Sequence, residues 1–191
     1  MHKLIKSALI AASLGLVAAT AIVPANAAMM ASSSMAGTKM VGGAAMYPTK
    51  TIVQNAMNSK AHTTLVAAVK AAGLVDTLSG PGPFTVFAPT NEAFAKLPAG
   101  TVGTLLKPEN KDQLVKVLTY HVVPGRMTSA MIAKAIRAGH GKATLTTVEG
   151  EPLTVMMKGG RLVLTDVHGG MSTVTIKDVM QSNGVRSEEH T

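Results

Sequence analysis

Histidine, serine and the paired carboxylates are the side chains in this sequence with scope for chemistry, and their spacing gives them little to do. The six histidines are His2, His62, His121, His140, His168 and His190. No two stand in an HxH or HxxxH pair of the kind that brings two imidazoles to one metal ion. A nucleophile needs a neighbouring base and a group that orients the base, and no serine sits in a Gly-x-Ser-x-Gly elbow. Gly80-Pro81-Gly82-Pro83 is glycine-rich, yet its prolines lack the N–H groups that would cradle a phosphate. Glu149 and Glu151 flank Gly150 at a turn signal, where a carboxylate is simply solvated. Met29, Met30, Met35, Met40 and Met46 offer soft thioethers to Cu(I), but their spacing is irregular and no His or Cys stands beside them. The expectation is no enzyme, no metal and no cofactor. Tyr120-His121 is the pair left to weigh. Read as part of a strand, the two side chains point to opposite faces, so at least one meets the core.

Composition narrows the class further. The first 27 residues read as a signal peptide: Lys3 and Lys6 form a positive start, 8–23 is apolar, and Ala25-Asn26-Ala27 places small residues before a cut after Ala27. The apolar stretch is short for a membrane span, which takes about 20 residues. The expected location is therefore outside the cytoplasm, extracellular or periplasmic. The chain has no cysteine, so neither a lipidated cysteine nor disulfides enter, and a hydrophobic core must hold the fold. Lysine plus arginine number 18 against 10 acidic residues. Without Lys3 and Lys6 the balance is 16 against 10, or +6, which favours acidic partners such as anionic polysaccharide or lipid. Nucleic acid is not expected, because no Trp, two Tyr and three Phe leave little to stack on bases.

Periodicity then supplies the elements. Residues 28–46 are small, polar and methionine-dotted, and read as a flexible linker. Helical spacing appears over 49–58 through Ile52, Val53, Ala56 and Met57, and over Thr63–Ala72, with Gly73 as its stop. Residues 84–87 read as a strand, Ala88-Pro89 ends it, and Thr90 or Asn91 caps a short helix that turns Ala93 and Phe94 inward. A short helix or turn follows over 98–106. Asn110 and Gln113 have capping-box spacing before Leu114, Val115, Val117 and Leu118. Residues 120–123 read as a strand and Ser129–Ala138 as a helix. After that the period changes: 143–148, 153–157, Arg161–Thr165 and 173–176 are β-branched runs between glycine turns, which is hairpin patterning. Helices first and strands afterwards make an α+β domain.

Residues 84–94, FTVFAPTNEAF, resemble the first conserved segment of the fasciclin (FAS1) domain family, with Thr85, Val86, Phe87, Ala88, Pro89, Thr90, Asn91 and Phe94 as its signature. Residues 62–78, 118–125, 144–155 and 174–185 resemble further segments of that family in the right order. The resemblance covers 47–185 and is closest to the secreted, single-domain bacterial type. It implies a β-sandwich or wedge of about seven strands flanked by helices, in which the two conserved segments supply neighbouring core strands. It also implies adhesion to a matrix, cell-surface or envelope protein or polysaccharide, without catalysis. In the family the tyrosine–histidine pair has been tied to adhesive receptor binding, so Tyr120 and His121 become the candidate partner-binding residues, with a core role as the alternative. A second reading is a carrier whose cleft of Met, Leu and Val holds a lipid or pigment.

The final six residues break the pattern. Where the family continues with an alternating apolar strand, this chain has Arg186-Ser187-Glu188-Glu189-His190-Thr191, without an apolar face. RSEEHT is also the translation of the start of a common sequencing adapter. Residues 186–191 are accordingly expected to be a non-native tail, the domain to be truncated at its C-terminus, and its last strand to be missing.

Overall fold

The computed structural model describes residues 37–190. The expected signal peptide at 1–27, most of the expected linker and Thr191 lie outside the described residues. The part of the linker that is described departs from expectation. Lys39–Val41 (β1) and Ala44–Met46 (β2) form an antiparallel hairpin. Its turn is Gly42-Gly43, both with positive φ, and a Cβ on Gly42 would lie 2.4 Å from Ser59 Oγ. Val41 and Met46 are buried against Val179. Two strands of three residues carry too little periodic signal to stand out in a run of small residues.

Helices follow. Ile52–Asn58 (α1) starts from a capping box in which Thr51 Oγ1 accepts from Gln54 N–H and the Gln54 side chain accepts from Thr51 N–H. Its Met57 is exposed rather than inward. Thr63–Ala72 (α2) ends as expected at Gly73, whose φ of 73° is the left-handed C-cap. Val75–Ser79 (α3) leads to the first strand of the main sheet, Phe84–Pro89 (β3). Asn91–Ala95 (α4), Thr101–Leu105 (α5) and Lys111–Tyr120 (α6) come next. Thr90 caps α4 by accepting from Ala93 N–H at 3.4 Å. Asn91 instead works at a distance: its Oδ1 accepts from Thr64 N–H, and its Nδ2 donates to Lys60 O and Thr63 Oγ1, pinning the start of α2. The expected capping box on α6 does not form, because Asn110 Nδ2 is engaged with Thr104 O.

The strand expected over 120–123 is shorter. Tyr120 is the last residue of α6, His121 caps it, and the strand is Val122–Pro124 (β4). Ser129–Ala138 (α7) has the expected bounds. Lys142–Thr146 (β5), Pro152–Lys158 (β6), Arg161–Thr165 (β7), Met171–Gln181 (β8) and Gly184–His190 (β9) then run as consecutive antiparallel neighbours. The seven-stranded sheet has the order β4-β3-β9-β8-β7-β6-β5. This is the expected α+β architecture, with one correction: the strand expected to be missing is present. Residues 184–190 pair parallel to β3 and antiparallel to β8. A ladder on both sides is made by backbone groups, which Arg, Ser and Glu supply as well as Val does.

The sheet separates two cores. On one side Ile52, Val53, Leu65, Ala68, Val69, Leu114 and Leu118 pack over Val86 and Ala88. On the other, Phe87, Val123, Leu145, Leu153, Val155, Leu162, Leu164 and Val174 enclose Ile132 and Ile136 of α7. Adjacent residues of β3 serve opposite cores, as the pleat requires.

Asn183, in the turn between β8 and β9, joins the layers. Its Oδ1 accepts from Ile52 N–H at 3.0 Å, and its Nδ2 donates to Leu78 O at 2.8 Å and Gly80 O at 3.0 Å. Its own carbonyl accepts from Phe84 N–H at 3.0 Å. The buried side chain thus fixes the start of α1 and the end of α3, and the backbone carbonyl of the same residue fixes the approach to β3. Asn183→Ala should cost about 2–4 kcal/mol, since it leaves buried backbone groups without partners. Urea unfolding checks this, and a loss below about 1 kcal/mol would remove Asn183 from that role.

Candidate functional site

The end of α6 overlooks a cleft of about 380 Å³ between the β5–β6 and β7–β8 turns. Leu114 and Leu118 anchor the helix in the core. The opposite stripe, Lys116, Val117 and Tyr120, together with His121, forms one wall. Glu149 and Glu151 come from the β5–β6 turn, Asp166 and His168 from the β7–β8 turn, and Met171 from the start of β8. Leu153, Leu164 and Glu189 contribute from the sheet. The fold therefore brings Tyr120 and His121 together at a cleft, with neither fully buried. Alternation along a strand is not the reason; they stand at a helix end, where the chain turns into β4.

Each of the two side chains is held. Tyr120 donates its hydroxyl to Pro152 O at 3.2 Å, and its ring meets the His121 ring edge-on at 5.9 Å. Burial, followed by the Asp166 carboxylate, raises the phenol's pKa. His121 Nδ1 lies 2.8 Å from Val117 O, and Nε2 lies 3.0 Å from Glu189 Oε1. A carbonyl and a carboxylate both accept, so the geometry calls for protons on both ring nitrogens. Burial is the largest influence on His121 and opposes its charge, but Glu189 and the Val117 carbonyl outweigh it and the pKa is raised.

Glu189 also accepts from Ser172 Oγ at 2.9 Å. The order is hydroxyl, carboxylate, imidazole. In a nucleophilic triad the imidazole stands between the other two and takes the hydroxyl proton. Here the carboxylate stands between them, so the grouping holds His121 in place and the imidazole does not meet Ser172. Among the described residues no group of three His, Cys, Asp or Glu is placed to hold a metal ion.

The signature residues of 84–94 do other work. Thr85 is buried, donates to Gly125 O at 2.6 Å and accepts from Met127 N–H at 2.8 Å, tying β3 to the chain beyond β4. Val86, Phe87 and Ala88 are core, and Pro89 ends the strand. Thr90 and Asn91 cap helices, and Phe94 packs against the helical core. None of these eight residues lines the cleft. Sequence reasoning named Glu151 and His168 but set them aside, and missed Asp166 and Met171; the four stand in two turns and at the start of β8, and only the fold brings them to one place.

A second ionisable grouping lies on the other face of β9. Arg186 is fully buried, with Nη2 3.5 Å from Glu188 Oε1 and 3.4 Å from Met46 Sδ. His62 is also fully buried, its Nδ1 2.9 Å from Ser59 Oγ and its Nε2 3.6 Å from Glu188 Oε1. Burial and then the Arg186 charge lower the His62 pKa to about 4, so the ring is neutral at neutral pH. Burial lowers Arg186 to about 10 and raises Glu188.

The fasciclin domain family model matches residues 60–186, and the chain belongs to that family. It is 50% identical over 146 residues to Protein sll1483 of Synechocystis sp., covering 76% of this chain and 74% of that one. Immunogenic protein MPB70 of Mycobacterium bovis is 40% identical over 126 residues, 62% of this chain and 59% of that one. Transforming growth factor-beta-induced protein ig-h3 of Sus scrofa is 34% identical over 138 residues, 72% of this chain but 18% of that one. Among solved structures, the FAS1 domain pair of the insect cell adhesion molecule Fasciclin I superposes with a TM-score of 0.65. That likeness, at 18% identity and covering 73% of this chain and 49% of that chain, shows the fold. The family is one of cell-adhesion and surface proteins. No helix among the described residues is long and apolar enough to cross a membrane.

The depressed His62 pKa fixes the sign of a pH effect. Between the unfolded value of 6.5 and the folded value of about 4, the unfolded chain binds a proton that the folded chain refuses. Stability from this site is full above pH 6.5 and is lost as pH falls towards 4, by about 3 kcal/mol in total. Glu188 acts in the opposite sense, its raised pKa favouring the folded state on acidification. Urea unfolding of wild type and His62→Gln at pH 7 and pH 5 isolates the effect. The wild type should lose more stability than the variant, and equal losses would contradict the assignment.

Proposed function

We propose that this chain is a secreted surface-interaction module that binds a matrix, cell-surface or envelope partner through the cleft at the end of α6, without catalysis. The observation that carries this reading is the convergence of Tyr120, His121 and two turns on one cleft of about 380 Å³, a volume within the range of recognition sites, roughly 300–1,000 Å³. Family membership among adhesion and surface proteins supports it.

The cleft's own charge refines the partner. Glu149, Glu151, Asp166 and Glu189 outnumber Lys116 and the charged His121, so the cleft is acidic although the whole chain is basic. The group that enters it is neutral or basic, with hydroxyls or an ammonium to meet the carboxylates. Acidic polymer, favoured by the whole-chain balance, fits the remaining surface better than the cleft. The carrier reading has less support. The apolar pocket between α1, α2 and the sheet has a cavity volume of about 40 Å³, far below what a lipid or pigment needs.

Exposed rim residues allow a test that leaves the fold intact. Glu151→Lys and Met171→Asp should each reduce retention of native envelope or matrix material on the immobilised protein by at least about tenfold, with melting temperatures unchanged. Wild-type retention by both variants would reject the cleft as the contact surface.

A further inference from the structure

Strands β5, β6 and β7 contain Lys142, Lys158 and Arg161 and no carboxylate. Leu145, Leu153, Val155, Leu162 and Leu164 point into the core beneath α7, so by alternation the three cations stand together on the opposite face of the sheet. Lys158 and Arg161 are direct partners across the Gly159-Gly160 turn, and Lys142, which pairs with Met156, is diagonal to Lys158. Direct partners lie about 5 Å apart at Cβ and diagonal ones about 7–8 Å. All three side chains are exposed, and among the described residues none of them has an ion-pair partner. Like charges directly opposite each other destabilise a strand pair. A lysine on an edge strand discourages edge-to-edge pairing, which accounts for Lys142. β6 and β7 are interior strands, so Lys158 and Arg161 have no such role. The carboxylates that could relieve them are elsewhere. Glu149, Glu151 and Asp166 stand in the turns at the far end of these strands, about 20 Å away along β6. Asp178 of β8 accepts from the Ser129 N–H and hydroxyl at the start of α7.

We propose that this outward face of β5, β6 and β7 is a second binding surface, separate from the cleft, and that it takes an anionic polysaccharide. An acid group of the polymer seated between Lys158 and Arg161 replaces their mutual repulsion with two attractions. The guanidinium meets a carboxylate or sulfate with paired N–H groups, and the ammonium adds a compact charge. A polymer that repeats its acid groups reaches Lys142 at the same time, which multiplies weak single contacts. Thr144 and Thr154 are partners on this face, one exposed and one half-buried, and offer hydroxyls to the sugar rings between the acid groups. A lipid surface fits less well. Peripheral membrane binding inserts aromatic or leucine side chains between headgroups, and these three strands hold no aromatic residue and direct their leucines inward.

Titration calorimetry of the full chain with dextran sulfate, with neutral dextran and with phosphatidylglycerol vesicles, in about 0.15 M salt, tests the proposal. Dextran sulfate should bind, and neutral dextran should not. The double variant Lys158→Gln, Arg161→Gln should weaken that binding by at least about tenfold, and Lys142→Gln alone by about threefold. Lys70→Gln with Lys111→Gln removes the same charge from exposed positions on α2 and α6, and should change affinity by less than about twofold. Removing a like-charge pair should leave the melting temperature of the first double variant at or above that of wild type. Met171→Asp, at the cleft rim, should bind dextran sulfate as wild type does, which separates this surface from the cleft. Equal losses in the two double variants would show an effect of net charge alone and overturn the proposal. Binding of the vesicles in place of dextran sulfate, or no binding of dextran sulfate by wild type, would also overturn it.

Discussion

The parallel pairing of β3 with β9 is the constraint on which the rest of this domain depends. β3 lies between the short β4 and the long β9, and its alternate residues feed both hydrophobic cores. β9 pairs β3 with the five-strand antiparallel run that it completes. Parallel neighbours need a long connection, and here nearly a hundred residues lie between the two strands: four helices, β4 and the whole antiparallel run. Asn183 sets the register at the start of this pair, where its carbonyl receives Phe84 N–H and its side chain gathers α1 and α3. Gly184 is required at the same place, because a Cβ there would lie 2.0 Å from Phe84 O.

The cleft depends on the same pair. Glu189 extends from β9 to His121 and Ser172, so the last turn of α6 and the start of β8 are both referred to the sheet's central strand. This arrangement explains how the cleft presents a defined surface. The tyrosine and histidine are oriented by two carbonyls, a carboxylate and each other, and the two turns supply carboxylates and rim residues around them. The turns can vary while the sheet remains fixed.

Much of this was legible in the sequence, for identifiable reasons. Thr63–Ala72 and Ser129–Ala138 were read to the residue because an apolar stripe coincides with a clear stop at Gly73 and Gly139. The antiparallel run was visible in its glycine turns, and the family in residues 84–94. Three features were not legible. The β1–β2 hairpin has strands too short to show a period. The strand expected at 120–123 began in a helix, since Tyr120 and the aliphatic residues after it suit either state until α6 docks on the core. Residues 186–190 carry no apolar side-chain pattern, and the family match itself stops at Arg186, yet the edges of β3 and β8 pair with their backbone in register. The cleft was half legible: Tyr120 and His121 adjoin in sequence, whereas Glu151, Asp166 and Met171 meet them only through the fold.

The claim that β9 is docked at the centre of the sheet, and holds the cleft through Glu189, is tested most directly by amide hydrogen exchange resolved by residue. The amides of β9 over 185–189 should exchange far more slowly than in an unstructured peptide, and those of β3 over 85–88 should be protected with them. Exchange at unstructured rates over 185–189, with β3 still protected, would show that the sheet stands without its central strand and would contradict the account.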